Sequence, residues 1–205
     1  MVPSYWTQAA EELSASDPLM AGLVAQYPGV SLVSRGDPFC TLARSVVGQQ
    51  ISVKAADSVW SRFVGVVGAV TPGRVAELGR EGLEGCGLSK RKIEYLADLA
   101  GHFLSGQLAP AGWAAHDDEA IIAELVAVRG IGRWTAEMFL IFNLMRPDVF
   151  PLDDIGLQRA IFMRYFNGEK QPRRALSAFG ERWRPWRSVA TWYLWRSLDP
   201  VPVAY

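Results

Sequence analysis

Two glycines one residue apart interrupt a segment that otherwise has the apolar periodicity of a helix. The segment is AVRGIGRWTAEMF, residues 127–139, with Gly130 and Gly132 on either side of Ile131. Each glycine inside a helix costs about 1 kcal/mol relative to alanine, so the pair predicts a tight turn between two helices. A second helix beginning near Arg133 exposes the positive end of its dipole, which binds a phosphate without basic side chains. A helical corner without any ligand is the alternative interpretation of the same glycines.

Helical periodicity continues through most of the chain. Apolar residues recur at helical spacing in FCTLARSVV, IEYLADLAGHFL, TAEMFLIFNLM and VATWYLWRSL, whereas alternating strand patterns are short. Candidate helix starts, where a capping side chain or a proline is favourable, are Asp37, Ser52, Thr71, Ser89, Asp118 and the Arg184-Pro185 step. These signals predict an all-α protein with about nine to eleven helices and little or no sheet.

Composition limits the compartment and the cofactors. The 205 residues suffice for one large domain or two small ones in close contact. No run approaches the roughly 20 apolar residues of a membrane span, and the first residues lack the apolar stretch of a signal peptide, so we expect a cytoplasmic protein. The two cysteines, Cys40 and Cys86, and the two histidines do not form a zinc or iron–sulfur ligand pattern.

The charge distribution is uneven although the formal net charge is zero. A neutral chain is unusual for a nucleic-acid-binding domain. Basic residues cluster, however, in SKRK at residues 89–92 and between Lys170 and Arg187, where Glu181 is the acidic residue. These clusters are either contacts for an anionic partner or solvated helix faces.

Four ordered segments together resemble one family. Residues 125–161, LVAVRGIGRWTAEMFLIFNLMRPDVFPLDDIGLQRAI, are similar to the helix-hairpin-helix, proline-bracketed loop and aspartate signature of the base-excision DNA glycosylases. Within that stretch, GIGRWTA and DVFPLDD, together with SVVGQQISVKAA at 45–56 and ERWRPWRSVATWYLW at 181–195, resemble the 3-methyladenine DNA glycosylase II family. The length before Asp37 indicates the compact form, without an N-terminal sheet domain.

The resemblance implies a fold and its division into two subdomains. It implies one helix-hairpin-helix glycosylase domain over residues 1–205, with two closely packed helical subdomains and the active site in the cleft between them. One subdomain would comprise the central helices, residues 38–145, with the hairpin at 125–144. The other would comprise residues 1–37 and 146–205.

The resemblance also implies an activity, which is the flipping and hydrolytic excision of alkylated purines such as 3-methyladenine and 7-methylguanine to leave abasic sites. Bifunctional relatives carry a lysine two residues after the second hairpin glycine, where this chain has Trp134, and no other lysine lies near the motif in the sequence. We therefore expect a monofunctional enzyme without lyase activity. The alternatives are a glycosylase for deaminated purines such as hypoxanthine and a non-catalytic helix-hairpin-helix DNA-binding module.

The family pattern maps its catalytic carboxylate to Asp154, which leaves Asp153 as a helix cap or a loop-ordering residue. Cleavage of an N-glycosidic bond develops positive charge on the deoxyribose, and a fixed anion beside the sugar stabilises that charge. A purine alkylated at N3 or N7 is already cationic and leaves without a strong general acid. Capping by both aspartates is the alternative for any DD pair before an apolar run.

Further site residues follow from motif position and from the load of eight tryptophans. Indole faces attract cations, so the predicted contacts to a cationic base are Trp134, Met138, Trp192 and Trp195. Three other tryptophans, Trp6, Trp183 and Trp186, are expected to be structural. The predicted DNA contacts are Gln49, Gln50, Gly130, Ile131, Gly132, Arg133 and Thr135. Gln50 would fill the gap left by the flipped base, unless Gln49 and Gln50 only end one helix before Ser52 starts the next.

The expected partner is double-stranded DNA with damaged bases, and no membrane. Family structures suggest a monovalent cation on the backbone carbonyls of Val126, Val128 and Ile131. No other cofactor and no iron–sulfur cluster is expected. We expect a monomer in the cytoplasm, associated with the nucleoid.

Overall fold

The computed structural model describes residues 2–198, and this part of the chain contains helices and no strand. The α-helices are α1 (Trp6–Ser16), α2 (Pro18–Gln26), α3 (Pro38–Gly48), α4 (Val53–Val67), α5 (Pro72–Leu83), α6 (Lys90–Leu104), α7 (Asp118–Val126), α8 (Arg133–Phe142), α9 (Ile155–Tyr165), α10 (Arg173–Gly180) and α11 (Arg187–Arg196). Short 3-10 helices occupy Pro110–Ala115 and Glu181–Trp183. The predicted all-α class and helix number are confirmed.

Four of the six predicted helix starts are confirmed. The side chains of Asp37, Ser52, Thr71 and Ser89 each accept the backbone N–H three residues later, at the starts of α3 to α6. Each of these caps satisfies a backbone donor that the first helical turn leaves unpaired.

Two predicted helix starts are wrong. Asp117, whose backbone is extended, caps α7 by accepting the Ala120 N–H at 2.7 Å, and Asp118 is the first helical residue. Pro185 does not start a helix, because α11 begins at Arg187 after a cis Arg184–Pro185 peptide bond. A capping side chain acts from a residue whose backbone is not helical, and neither sequence pattern specified which residue that would be.

The described residues fall into two compact units. We call residues 35–139 the hairpin unit, and residues 2–34 with 140–198 the aspartate unit. No helix within residues 2–198 combines the length and apolar content needed to cross a membrane.

A chain of aromatic contacts fills the core of the hairpin unit. Phe39 on α3 packs edge-on against Phe103 at 5.3 Å between ring centroids, and Phe103 contacts Trp113 at 6.5 Å. Trp113 in turn packs against Phe139 on α8 at 5.3 Å. Because Trp113 is buried, its indole N–H cannot donate to water. It donates instead to the Glu124 carboxylate at 2.7 Å. These contacts give α8 a fixed position on α3 and α6.

The core of the aspartate unit is also aromatic. Trp183, which is completely buried, contacts Tyr165 and Phe179, and its indole N–H donates to Asp17 at 3.2 Å. Asp17 accepts the Tyr165 hydroxyl as well, and burial is the main cause of the raised pKa of Tyr165. Trp6 packs in the same unit at 6% exposure, so Trp6 and Trp183 have the structural role expected of them.

Candidate functional site

Asp154 is the N-cap of α9, and its carboxylate is held in one orientation. The residue is 5% exposed, and its Oδ1 accepts the Leu157 N–H at 2.6 Å and the Trp195 indole N–H at 2.8 Å. Gly156 lies two residues after Asp154. A Cβ at this position would lie 3.1 Å from Asp154 Oδ1 and 3.4 Å from the Trp195 ring, so the glycine leaves room for both groups. The structure therefore places a nearly buried carboxylate at a helix N-terminus, fixed by two N–H donors.

The aromatic ring beside this carboxylate, Trp195, is itself stacked on a second ring within the aspartate unit. The half-buried Trp195 indole stacks on Phe142, with 5.7 Å between ring centroids and an interplanar angle of 11°. Ile155, directly after Asp154, is 80% exposed. Sequence analysis did not select Phe142, because one phenylalanine in the apolar run FLIFNLM has no signal that separates it from the core.

The predicted cap role of Asp153 is wrong. Asp154 caps α9, whereas the exposed Asp153 carboxylate is bound by Arg173 at the start of α10. This ion pair ties the loop before Asp154 to α10, which agrees with the alternative expectation of a loop-ordering residue.

Trp192 packs into the core of the aspartate unit. It is 5% exposed, its ring meets Trp6 edge-on at 5.2 Å, and the Arg196 guanidinium lies over it at 4.6 Å. These contacts argue against the predicted role of Trp192 in binding a base. Trp186 stacks on Tyr5 and donates to Glu12, as a structural tryptophan does.

The basic stretch from Lys170 to Arg187 is largely paired inside the aspartate unit. Arg187 donates to Asp148 at 2.6 Å, and Arg184 contacts both Asp148 and Glu181. Arg182 lies over the Phe179 ring at 3.7 Å. Much of the positive charge in this stretch is therefore committed to contacts within the protein.

In the hairpin unit, residues 127–132 form the turn between α7 and α8, as predicted. Gly130 has a φ of +87°, and a Cβ there would lie 2.2 Å from the Tyr95 ring. The Ile131 N–H donates to the Val128 carbonyl at 3.1 Å, which closes the turn. The turn and the Tyr95 ring therefore both require glycine at position 130.

Gly132 has different surroundings. It is exposed, and a Cβ there would meet no atom of the described chain within 4 Å. The Ala136 N–H donates to the Gly132 carbonyl at 3.0 Å, so Gly132 directly precedes α8 and lies at the positive end of its dipole. Packing inside the chain does not explain this glycine, and the surface beside it is open to close approach.

Arg133 is bound within the hairpin. Its guanidinium donates to Glu119 on α7, with one contact at 2.9 Å, and to Glu137 on α8 at 3.1 Å. The hydrogen bonds with Glu119 raise the pKa of Arg133 and lower the pKa of Glu119. Arg133 thus braces the two hairpin helices, and its predicted contact with DNA competes with two carboxylates. The Thr135 side chain, at 7% exposure, is buried.

A cavity of about 630 Å³ opens in the hairpin unit where the α3–α4 turn, α6 and the hairpin meet. It brings together the predicted residues Gln49, Gln50, Gly130, Trp134, Thr135 and Met138. Trp134 is half-buried there, whereas Met138 is 4% exposed. The other main side chains of the lining are Arg44, Ile51, Asp57, Arg91, Lys92 and Tyr95. Of these, the sequence had marked only Arg91 and Lys92, as part of the basic segment at residues 89–92.

Lys92 corrects one expectation. No lysine is close to Trp134 in sequence, yet Lys92 lines the same cavity. Its ammonium donates to the Val47 carbonyl at the end of α3 at 2.7 Å, and burial lowers its pKa. The amine of Lys92 is therefore a second candidate nucleophile for lyase chemistry, besides the position that Trp134 occupies.

The two adjacent glutamines have different environments. Gln49 lies just after α3, and its side-chain amide donates to the Gly130 carbonyl at 2.8 Å. Gln50 is exposed with a φ of +59°, a strained conformation for a residue other than glycine. The apolar Ile51 beside it is 40% exposed. Both glutamines lie between the end of α3 and Ser52, which starts α4, as the alternative interpretation predicted. The hydrogen bond from Gln49 to the Gly130 carbonyl is an additional contact that a helix end by itself does not need.

Among residues 2–198, no group of three or more histidine, cysteine, aspartate or glutamate side chains is placed to hold a metal ion. The thiol of Cys86 is buried and that of Cys40 partly so, and burial raises the pKa of both.

Along the chain, the glycine hairpin is followed by a loop and then by an aspartate that caps a helix. A known protein family has these features in the same order. The family model described as HhH-GPD superfamily base excision DNA repair protein matches residues 43–185. The chain belongs to this superfamily.

Individual relatives carry names that are more specific than that of the superfamily. Bacillus subtilis YfjP, described as a putative DNA-3-methyladenine glycosylase, is 31% identical over 188 residues, which cover 88% of this chain and 66% of that protein. The crystal structure of DNA-3-methyladenine glycosidase from Bacillus halodurans matches with a TM-score of 0.87 and 34% identity, covering 97% of this chain and 93% of that one. The 3-methyladenine DNA glycosylase of Schizosaccharomyces pombe, in complex with abasic DNA, matches with a TM-score of 0.79 and 30% identity, covering 96% and 100%.

Proposed function

We propose that this chain is a DNA glycosylase of base excision repair that hydrolytically removes alkylated purines from double-stranded DNA. The observation that carries the proposal is the Asp154 carboxylate, 5% exposed and fixed by the Leu157 and Trp195 N–H groups. A helix cap alone does not need a second donor from an indole. The relatives named DNA-3-methyladenine glycosylase support the substrate class.

In the proposed reaction the bond between the base and deoxyribose C1′ breaks, and its electron pair leaves with the purine. The positive charge that develops on the sugar is stabilised by the Asp154 carboxylate, which the nearly complete burial shields from water. A water oxygen then forms a bond to C1′, and its proton passes through the carboxylate to solvent. An alkylated purine is a cationic leaving group, so this mechanism needs no second acid.

Aromatic and apolar side chains are the proposed contacts for the extrahelical base. In the aspartate unit, the candidate is Trp195, which lies against Asp154. In the hairpin unit, described by itself, the candidates are Trp134 and Met138, which line its cavity. An indole face attracts a cationic purine more strongly than a neutral one, which favours alkylated over deaminated bases. At the α3–α4 turn, Gln50 is the proposed side chain that fills the gap in the duplex, with the exposed Ile51 beside it.

The start of α8 is the proposed anchor for a DNA phosphate. Gly132 leaves the backbone open, and the helix dipole supplies positive charge where Arg133 is already bound to two carboxylates. The predicted monovalent cation would use the carbonyls of Val126, Val128 and Ile131. The Val128 carbonyl already accepts the Ile131 N–H, and its second lone pair is the one that a cation would take.

We also propose that the enzyme lacks lyase activity. Trp134 has no amine, and Lys92 is held at the end of α3 by its hydrogen bond to Val47. A Schiff base with the abasic sugar needs an amine that is free to reach C1′.

The experiment is incubation of the protein with methylated duplex DNA, followed by heating in alkali. Strand breaks that form only after alkali, in excess of those in the same DNA treated without protein, support monofunctional excision. No such excess in either condition would contradict the proposed activity. Borohydride reduction during the reaction tests the lyase question separately. A trapped protein–DNA complex in the wild type, absent in Lys92→Arg, would show that Lys92 is a nucleophile and refute the proposed absence of lyase activity.

A non-catalytic DNA-binding module is the second candidate, and Asp154→Asn separates it from an enzyme. A binding module would hold abasic DNA equally well with either residue and would release no base.

A further inference from the structure

The Gln49 side chain connects the α3–α4 turn with the hairpin turn, and residues of both segments are predicted to contact DNA. Gln49 follows α3, and its Nε2 donates to the Gly130 carbonyl at 2.8 Å, across 81 residues of sequence. Gly130 lies in the hairpin turn, three residues before Arg133, the first residue of α8. The amide of Gln49 is thus used inside the protein, at the junction of the α3–α4 turn with the hairpin.

Helix α6 supports both sides of this junction. Lys92 donates to the Val47 carbonyl at 2.7 Å and so holds the end of α3. Tyr95, three residues later on the same helix, fills the space beside Gly130 where a Cβ would lie 2.2 Å from its ring. The end of α3 and the hairpin turn therefore rest on adjacent side chains of one helix, and Gln49 joins them directly.

The residue after this link is strained. Gln50 has a φ of +59° and an exposed side chain. A left-handed conformation at a residue other than glycine costs on the order of 1 kcal/mol and persists only where neighbouring contacts fix it. The hydrogen bond of Gln49 fixes the residue immediately before Gln50, so it is a contact of the kind that a strained turn needs.

We propose that Gln49 is a positioning residue: its hydrogen bond to Gly130 makes the Gln50–Ile51 turn and the start of α8 engage DNA as one unit. The proposal rests on the proposed function, because it assigns DNA contacts to both segments. It replaces the direct DNA contact predicted for Gln49. Without the bond, the two segments contact DNA separately and insertion of the turn no longer gains from phosphate binding at the hairpin.

The test is a double-mutant cycle of Gln49→Leu and Gln50→Ala, measured as the Kd for a duplex that contains an abasic-site analogue. Leucine keeps the size of the side chain but cannot donate, so the Gly130 carbonyl loses its partner and binding is expected to weaken about tenfold. If Gln49 acts by positioning the turn, the double variant binds within about twofold of Gln49→Leu alone. The matched control is Gln26→Leu, which removes a glutamine hydrogen bond to the Gly22 carbonyl at 3.0 Å in α2 and leaves Kd unchanged.

Two results would overturn the proposal. Effects of Gln49→Leu and Gln50→Ala that multiply would mean independent contacts, and an unchanged Kd in folded Gln49→Leu would mean that the bond has no role in binding. Gln49→Glu is run in parallel, since it keeps size and polarity but places a carboxylate, when ionised, against the carbonyl. It should match Gln49→Leu near neutral pH and covers the case in which the leucine variant does not fold.

The binding cycle does not depend on base excision. A wild-type chain that binds the abasic duplex but releases no methylated purine would contradict the proposed activity and leave the test of Gln49 intact. A wild-type chain that binds no abasic duplex would overturn both.

Discussion

Replacing Asp154 by asparagine should remove the electrostatic stabilisation of the sugar while preserving the fold. The Leu157 N–H and the Trp195 indole N–H both donate to Oδ1, and the asparagine oxygen can accept the same two hydrogen bonds. Asparagine and aspartate are also equally good helix caps. The substitution therefore changes the charge of the side chain more than its geometry.

The size of the effect follows from the burial of the carboxylate. A unit charge about 4 Å from the developing positive charge contributes about 4 kcal/mol at an effective dielectric constant of about 20. The side chain is 5% exposed, so solvent screening is limited. A loss of about 3 to 4 kcal/mol lowers the rate roughly 100-fold to 1,000-fold.

The assay is single-turnover release of 7-methylguanine or 3-methyladenine from duplex DNA. Asp153→Asn is the matched control, because it neutralises the adjacent, exposed carboxylate that is bound to Arg173. It should change the rate by less than about threefold, as expected for a surface ion pair. An Asp154→Asn variant with wild-type melting temperature and a rate within threefold of the wild type would refute the electrostatic role of this carboxylate.

Three further predictions concern neighbouring features. Trp195→Phe removes one donor to Asp154 and should slow excision about tenfold, with unchanged Kd for abasic DNA; an unchanged rate would show that the indole N–H is dispensable. Gly130→Ala should lower the free energy of unfolding by about 2 kcal/mol or more, because of its φ of +87° and the Tyr95 ring, whereas Gly132→Ala should keep stability and weaken DNA binding. Equal melting temperatures for the two alanine variants would contradict this distinction. Arg133→Ala should destabilise the hairpin by about 1 kcal/mol in urea unfolding while barely changing the dependence of DNA binding on salt; a clear change in that dependence would instead indicate a direct phosphate contact.

Local signals in the sequence were sufficient for most of the fold. Capping residues such as Asp37 and Ser89 act on N–H groups three positions away, so both partners are visible in one short segment. The same reasoning failed between Asp117 and Asp118, because two adjacent aspartates have equal capping chemistry and the backbone conformation decides between them.

Long-range contacts explain what the sequence left open at the candidate site. The bond from Gln49 to Gly130 and the packing of Tyr95 beside the same glycine join segments far apart in sequence, and no local pattern encodes them. Lys92 enters the cavity for the same reason, through the position of α6. Asp154 could be predicted from its motif, but its indole donor could not, since Trp195 is 41 residues away.

The pairing of Arg133 with Glu119 and Glu137 bears on how the protein would search DNA. Affinity gained from lysines and arginines comes largely from displaced counterions and falls steeply as ionic strength rises. A hairpin whose arginine is already neutralised, in a chain of zero formal net charge, displaces few ions when it meets a phosphate. We therefore expect such a protein to spend little time on undamaged duplex at physiological ionic strength, with its residence on DNA set mainly by the lesion.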